Sequence, residues 1–103
     1  MKSIEIQISD SWLDSLIESL KNPEEAAEYL SVILEDEPEK DQILRYALKD
    51  VVEAHRQRGT FSDEGKKHYE NLERIFSDNE GAEIYTLIKL LDALGFKLVV
   101  TIK

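Results

Sequence analysis

Along most of this chain the apolar residues recur at intervals of three and four, and only its two ends alternate. Trp12, Leu13, Leu16, Ile17 and Leu20 predict a first helix that starts after Asp10 and closes near Leu20 or Lys21. Asn22-Pro23-Glu24-Glu25 then reads as a helix start. Asn supplies the cap, proline stands where a missing N–H costs nothing, and a glutamate three residues after the cap suits a capping box. Ala26, Tyr29, Leu30, Ile33 and Leu34 make the second stripe, which the acidic run Glu35-Asp36-Glu37-Pro38 stops.

A third and longest helix begins beyond Pro38, carries Ile43, Leu44, Ala47, Leu48, Val51, Val52 and Ala54, and ends in His55-Arg56-Gln57-Arg58 before Gly59. Cations in the last turn and a following glycine suit a helix C-terminus. Between Gly59 and Leu72 the pattern thins to Phe61 and Tyr69. It predicts two short helices there, one between Ser62 and Lys67 and one from about Tyr69 to Phe76, before the turn Ser77-Asp78-Asn79-Glu80-Gly81. Ile84, Leu87, Ile88, Leu91 and Leu94 mark the last helix, capped by Gly95. Core duty is expected of Leu30, Ile33, Leu48, Val51, Leu87, Leu91 and Leu94.

Both ends read as strands. Ile4, Ile6 and Ile8 alternate with Glu5 and Gln7, predicting a strand within residues 1 to 9; Phe96, Leu98, Val100 and Ile102 alternate with Lys97, Val99 and Thr101, predicting another over 96 to 103. Lone strands need partners for their backbone groups, so the two are expected to pair, within one chain or across a dimer. The expected fold is mainly α: one domain over residues 1 to 103, with five to six short helices and short terminal β-strands.

Charge divides the chain. The formal net charge is -9 over 103 residues. Residues 1 to 43 carry 3 Lys/Arg against 12 Asp/Glu, while residues 44 to 103 carry 10 of each. An acidic surface repels phosphate and attracts basic proteins. With no cysteine, the chain has no disulfides, thiolate metal sites or thiol nucleophiles. Together with the lack of a signal-peptide-like start or a long apolar run, this suggests a cytoplasmic protein with no membrane span.

Catalytic and cofactor signatures are missing from the sequence. His55 and His68 lack the short spacing of a metal site. No glycine-rich loop precedes a helix, and no serine sits in a nucleophile elbow. Asp78-Asn79-Glu80-Gly81 starts like a calcium loop, but the twelve-residue ligand pattern does not follow. No enzyme activity, cofactor or metal is expected.

A resemblance spans roughly residues 22 to 98. Glu25-Ala26-Ala27-Glu28-Tyr29-Leu30, then Ala47-Leu48-Lys49-Asp50-Val51-Val52-Glu53-Ala54, Arg58-Gly59, and Ser77 to Leu98 resemble, in order and spacing, the probable addiction-module antidote family of HigA-like antitoxins. That family carries a lambda-repressor-like helix-turn-helix domain, binds a small toxin and represses its own operon. The resemblance thus implies an antitoxin that neutralises a small basic RelE-like toxin and binds operator DNA as a homodimer. The chain departs from the family between Thr60 and Asn71, about two residues shorter than the usual helix-turn-helix stretch. It also has Ala82 and Glu83 where the family commonly has proline and a polar or basic residue.

Under this reading Lys66, Lys67 and Arg74 would contact phosphates while His68, Tyr69 and Asn71 would face bases. Glu24, Glu25 and Glu28, with Trp12 as an anchor, would meet the toxin. The alternative is an acidic protein-interaction module on the same scaffold that has lost DNA binding, which the shortened segment and the charge both allow.

Overall fold

A computed structural model describes residues 2–36, 43–79 and 81–103, with the side chains of 2–10, 36 and 79 excepted. Five helices follow one another: α1 (Lys2–Leu20), α2 (Pro23–Asp36), α3 (Ile43–Arg58), α4 (Asp63–Asn79) and α5 (Ala82–Ala93). The protein is mainly helical, as the periodicity predicts. No helix among the described residues is long and apolar enough to cross a membrane.

The helix ends follow the local chemistry. Asn22 Oδ1 accepts from the Glu24 N–H at 2.9 Å and the Glu25 N–H at 3.4 Å, the amide half of the expected cap. At the end of α3 the Thr60 N–H bonds His55 O at 2.9 Å and the Gly59 N–H bonds Arg56 O at 3.1 Å. This paired closure needs the left-handed backbone of Gly59, φ 74°. The same closure ends α5, from Phe96 N–H to Leu91 O at 2.8 Å and from Gly95 N–H to Asp92 O at 3.0 Å. The expected segment around Pro38 lies outside the described residues.

Three expectations are corrected. First, the predicted N-terminal strand is helical, because residues 2–10 belong to α1. A helix pairs its backbone groups internally whereas a lone strand cannot, and three alternating isoleucines are too short a pattern to separate the two periods.

Second, the predicted C-terminal strand over 96–103 has no regular secondary structure, and no strand occurs among the described residues. With its intended partner helical, the segment lies along α2 as a strap. The Val100 N–H donates to Ser31 Oγ at 2.7 Å, and the Ser31 hydroxyl reaches Val100 O at 3.2 Å. Lys97 Nζ stands 3.5 Å from Glu35, so the strap runs antiparallel to α2.

Third, the two short helices expected between Ser62 and Phe76 are one continuous helix of 17 residues. Ser62 starts it by accepting the Gly65 N–H on its hydroxyl at 3.0 Å and the Lys66 N–H on its carbonyl at 3.0 Å. Gly65 therefore sits in the first turn. It makes room for Phe61, whose ring would lie 3.1 Å from a Cβ at that position, and no further glycine or proline interrupts the helix.

Two apolar clusters share α3. Ile17, Leu20, Ala26 and Ala54 join α1, α2 and the end of α3. Leu34, Leu44, Phe76, Tyr85 and Ile88 join α2, the start of α3, α4 and α5, with Val100 of the strap packed against them. Of the residues expected in the core, Leu30 is buried, Ile33, Leu48, Val51 and Leu91 are half-buried, and Leu87 and Leu94 are exposed. On α5 the buried positions are instead Tyr85 and Ile88. The α5 stripe is therefore rotated from its expected face.

Gly81 fixes that rotation. Its φ is +77°, and a Cβ there would stand 2.6 Å from Phe76 Cε1. Gly81→Ala should lower the unfolding free energy by about 2–4 kcal/mol, from strained backbone plus displacement of Phe76. Gly95→Ala, with φ +87° and open space around it, should lose only about 1 kcal/mol. Urea unfolding followed by circular dichroism compares the two.

Candidate functional site

The face of α3 turned away from α2 floors a groove of about 370 Å³, walled by α1 and α4. Leu13 and Ile17 line it from α1, Tyr69 from α4, and Tyr46, Lys49, Asp50, Val52, Glu53 and Arg56 from α3. A second hollow of about 250 Å³, lined by Arg45, Tyr46, Lys49, Tyr69 and Glu73, shares three of these residues and extends the groove between α3 and α4.

The groove exists because α3 and α4 are joined at one end and spread at the other. Leu44 and Phe76 meet in the core. Beside them Arg45 grips Glu73 with two bonds, Nε to Oε1 at 3.2 Å and Nη2 to Oε2 at 2.9 Å. This forked geometry holds a fixed distance better than a single contact does. Tyr69 is steadied from behind by Phe61, edge to face at 6.4 Å between ring centres.

The groove has an apolar and aromatic lining with charges of both signs. Tyr46 is 59% exposed at its mouth. Asp50 stands near the Tyr29 hydroxyl, and each influences the other's titration. Burial pushes the Asp50 carboxyl up, against the opposing pull of Lys49 and the Tyr29 hydrogen bond. Burial likewise raises Tyr29 and Tyr69, helped at Tyr29 by Asp50 and at Tyr69 by Glu73. Glu53 is engaged by its own helix, with Arg56 Nη1 at 3.8 Å and Gln57 Nε2 at 3.2 Å. Such a surface can hold an amphipathic segment of a partner. No cluster of three or more metal-ligating side chains occurs among the described residues.

The residues singled out as DNA contacts all lie on α4 but do not share a face. At 100° per residue, Lys67, Asn71 and Arg74 fall on the outward stripe, and all three are exposed. Asp63, Glu70 and Asp78 lie on the same stripe, and Arg74 Nη2 donates to Asn71 Oδ1 at 3.0 Å. Lys66 is turned to one side, 3.7 Å from Asp63. His68 is exposed on the other flank, and Tyr69 faces inward to the groove.

The residues singled out as partner contacts divide between two helices. Glu24, Glu25 and Glu28 are exposed together at the start of α2, on the side that also shows Val32 and Glu35. Trp12 is 66% exposed on α1, next to Leu13 but outside the groove lining. Sequence reasoning missed Tyr46, Asp50 and Leu13 as site residues. The signal was a second stripe on α3: Tyr46, Lys49, Asp50, Glu53 and Arg56 recur at intervals of three and four beside the apolar one.

Comparison with known proteins finds no matching family model, curated protein or solved structure.

Because the folded Asp50 carboxyl titrates above its ordinary value, the native state holds more protons than the unfolded chain in the window between the two values. Its contribution to stability therefore falls as pH rises through that window. Asp50→Asn removes this loss at nearly the same side-chain size. The variant should melt higher than the parent at neutral pH and match it below about pH 3, where both side chains are neutral. Thermal melts across that range measure the difference.

Proposed function

We propose that this chain is an acidic protein-interaction module of the addiction-module antidote type. It would hold a small basic protein partner in the cytoplasm, without catalysis or cofactor, on a scaffold that has lost its DNA reader. The observation that carries this reading is the continuity of α4: Asp63–Asn79 is one unbroken helix across the segment where the resemblance expects a turn between two helices. The acidic start of α2 supports it, since an RNA-acting toxin would be basic and complementary charge speeds encounter. The groove supports it as well, because exposed aromatic and aliphatic residues beside charges are what a partner segment can bury.

The second reading is the operator-binding repressor of lambda-repressor-like fold. One observation favours it: Lys67, Asn71 and Arg74 stand exposed on a single stripe of α4. Opposing it are the three carboxylates on that stripe, which would meet phosphates of like charge.

Fluorescence anisotropy against the chain's own upstream duplex and a scrambled control separates the readings. Partner-only function predicts no sequence-selective binding at low or physiological salt. Selective binding that weakens with salt, and is lost in Lys67→Glu/Arg74→Glu, would establish the repressor instead. Toward the basic partner, reversing Glu24, Glu25 and Glu28 to lysine should slow association about tenfold or more at low salt. Stopped-flow detection through Trp12 measures the rate, and an unchanged rate would remove α2 from the interface.

A further inference from the structure

The C-terminal strap keeps one backbone edge open. It runs from Phe96 to Lys103 without a turn or bend, and in such an extended run the N–H and C=O groups of successive residues point to opposite edges. Val100 turns both of its groups to the Ser31 hydroxyl of α2. Leu98 and Ile102 share that edge, while Lys97, Val99, Thr101 and Lys103 present theirs to the other. None of these four has a backbone hydrogen bond among the described residues. All four are exposed, Val99 by 52%.

The side chains alternate as well. Val100 packs against the core cluster, so Lys97, Val99, Thr101 and Lys103 carry theirs on the outward face. An open hollow of about 210 Å³ lies beside Val100 to Ile102, with Ala26, Leu30 and Val51 in its lining.

We propose that this edge docks an extended segment of another protein, added antiparallel as a strand, with an acid at each end and β-branched residues between. The site uses neither the groove nor Glu24, Glu25 and Glu28, so it goes beyond the partner-binding reading.

The backbone argues for an extended occupant. Donors and acceptors that recur at every second residue are matched by another extended chain, whereas a helix has already spent its own groups. Val99, Val100, Thr101 and Ile102 are β-branched, which favours the extended state that such pairing needs. The apolar residues on the inward face of the added strand would cover the open hollow.

Charge argues for the acids. Residues 96 to 103 carry two lysines and no acid, in a chain of net charge -9. Lys97 and Lys103 stand at the two ends of the outward face, where carboxylates directly opposite would attract both. The contact of Lys97 with Glu35 is exposed and 3.5 Å long, too weak to hold the lysine back.

Charge also argues against a second copy. Antiparallel pairing of two straps in the same register sets Lys97 of each against Lys103 of the other, and parallel pairing sets each lysine against itself. Like charges directly opposite destabilise a sheet, and lysines on an edge discourage such self-pairing.

An amide NMR titration of the full chain tests the site. The probe is the end-blocked peptide Glu-Val-Thr-Ile-Thr-Val-Glu, N-methylated on its three apolar residues so that only the edge facing away from the strap is blocked and the peptide cannot stack on itself. The amides of Lys97, Val99 and Thr101 should shift together and exchange more slowly with solvent at peptide concentrations up to about 1 mM. Moving the methyl groups to the two threonines should abolish the shifts. Replacing both glutamates with lysine should weaken binding about tenfold, as two attractive cross-strand pairs become repulsive. Val99→Pro removes one donor from the open edge and disturbs no buried side chain, so it should lose the peptide while helicity by circular dichroism matches the parent. No shifts at the highest concentration would overturn the proposal. So would undiminished binding of the lysine peptide, of the threonine-methylated peptide or by Val99→Pro. Slowed exchange of the same amides in the concentrated protein alone would give the edge to a second copy and overturn it too. No basic partner is present, so failure here is distinct from failure of the partner-binding reading.

Discussion

Ala47 and Ala54 on α3 are 1% and 0% exposed, and the arrangement of the other helices depends on the close approach they permit. A larger side chain at Ala54 would push against the cluster it forms with Ile17, Leu20 and Ala26, where α1 and α2 meet α3. With α1 and α2 committed to one side of α3, the opposite side is left to α4. That helix touches α3 through Leu44 and Phe76 and the Arg45–Glu73 fork. The groove is the space that remains. Its floor is polar because those α3 positions never entered the core, and its walls are apolar because Leu13, Ile17 and Tyr69 face inward from the edges of theirs.

The far end of the molecule is governed by contacts between small features. Gly81 lets the chain turn under the Phe76 ring, which sets the direction in which α5 leaves α4. Once Tyr85 and Ile88 face the core, helical geometry forces Leu87, Leu90 and Leu94 outward. The strap follows from the same placement. It leaves Gly95 close to the end of α2 and is pinned at Val100 by the Ser31 hydroxyl, which serves both the N–H and the carbonyl of that residue. One side chain thus satisfies backbone groups that a neighbouring strand would otherwise have paired.

Electrostatics separates the surfaces by the partner each can accept. The start of α2 is uniformly acidic, the groove mixes both signs around aromatic walls, the outward stripe of α4 interleaves cations with carboxylates, and α5 exposes a line of leucines, Leu87, Leu90 and Leu94. A phosphate backbone finds no uncontested cationic stripe among these. Under the proposed reading, a basic protein would meet the acidic α2 and a groove for its apolar residues.

The sequence by itself determined the start of α2 and the ends of α3 and α5, because those signals are local. Asn22 before Pro23, Gly59 after Arg58 and Gly95 after Leu94 act through hydrogen bonds within a few residues. It also determined the helical class and the acidic bias, which need no tertiary knowledge. Tertiary structure decided what depends on partners distant in the chain. The N-terminal isoleucines belong to a helix and the C-terminal segment to no strand, because neither had a strand to pair with. The segment after Gly59 is one helix because Ser62 caps it and Gly65 is occupied by Phe61. The inward face of α5 was decided by Phe76 and Gly81, and hydrophobic periodicity could not choose it because Glu83, Thr86, Lys89 and Asp92 are spread around the helix and not gathered on one face. The groove was least legible, since Leu13, Tyr46, Asp50 and Tyr69 come from three helices and become neighbours only when α1 and α4 flank α3.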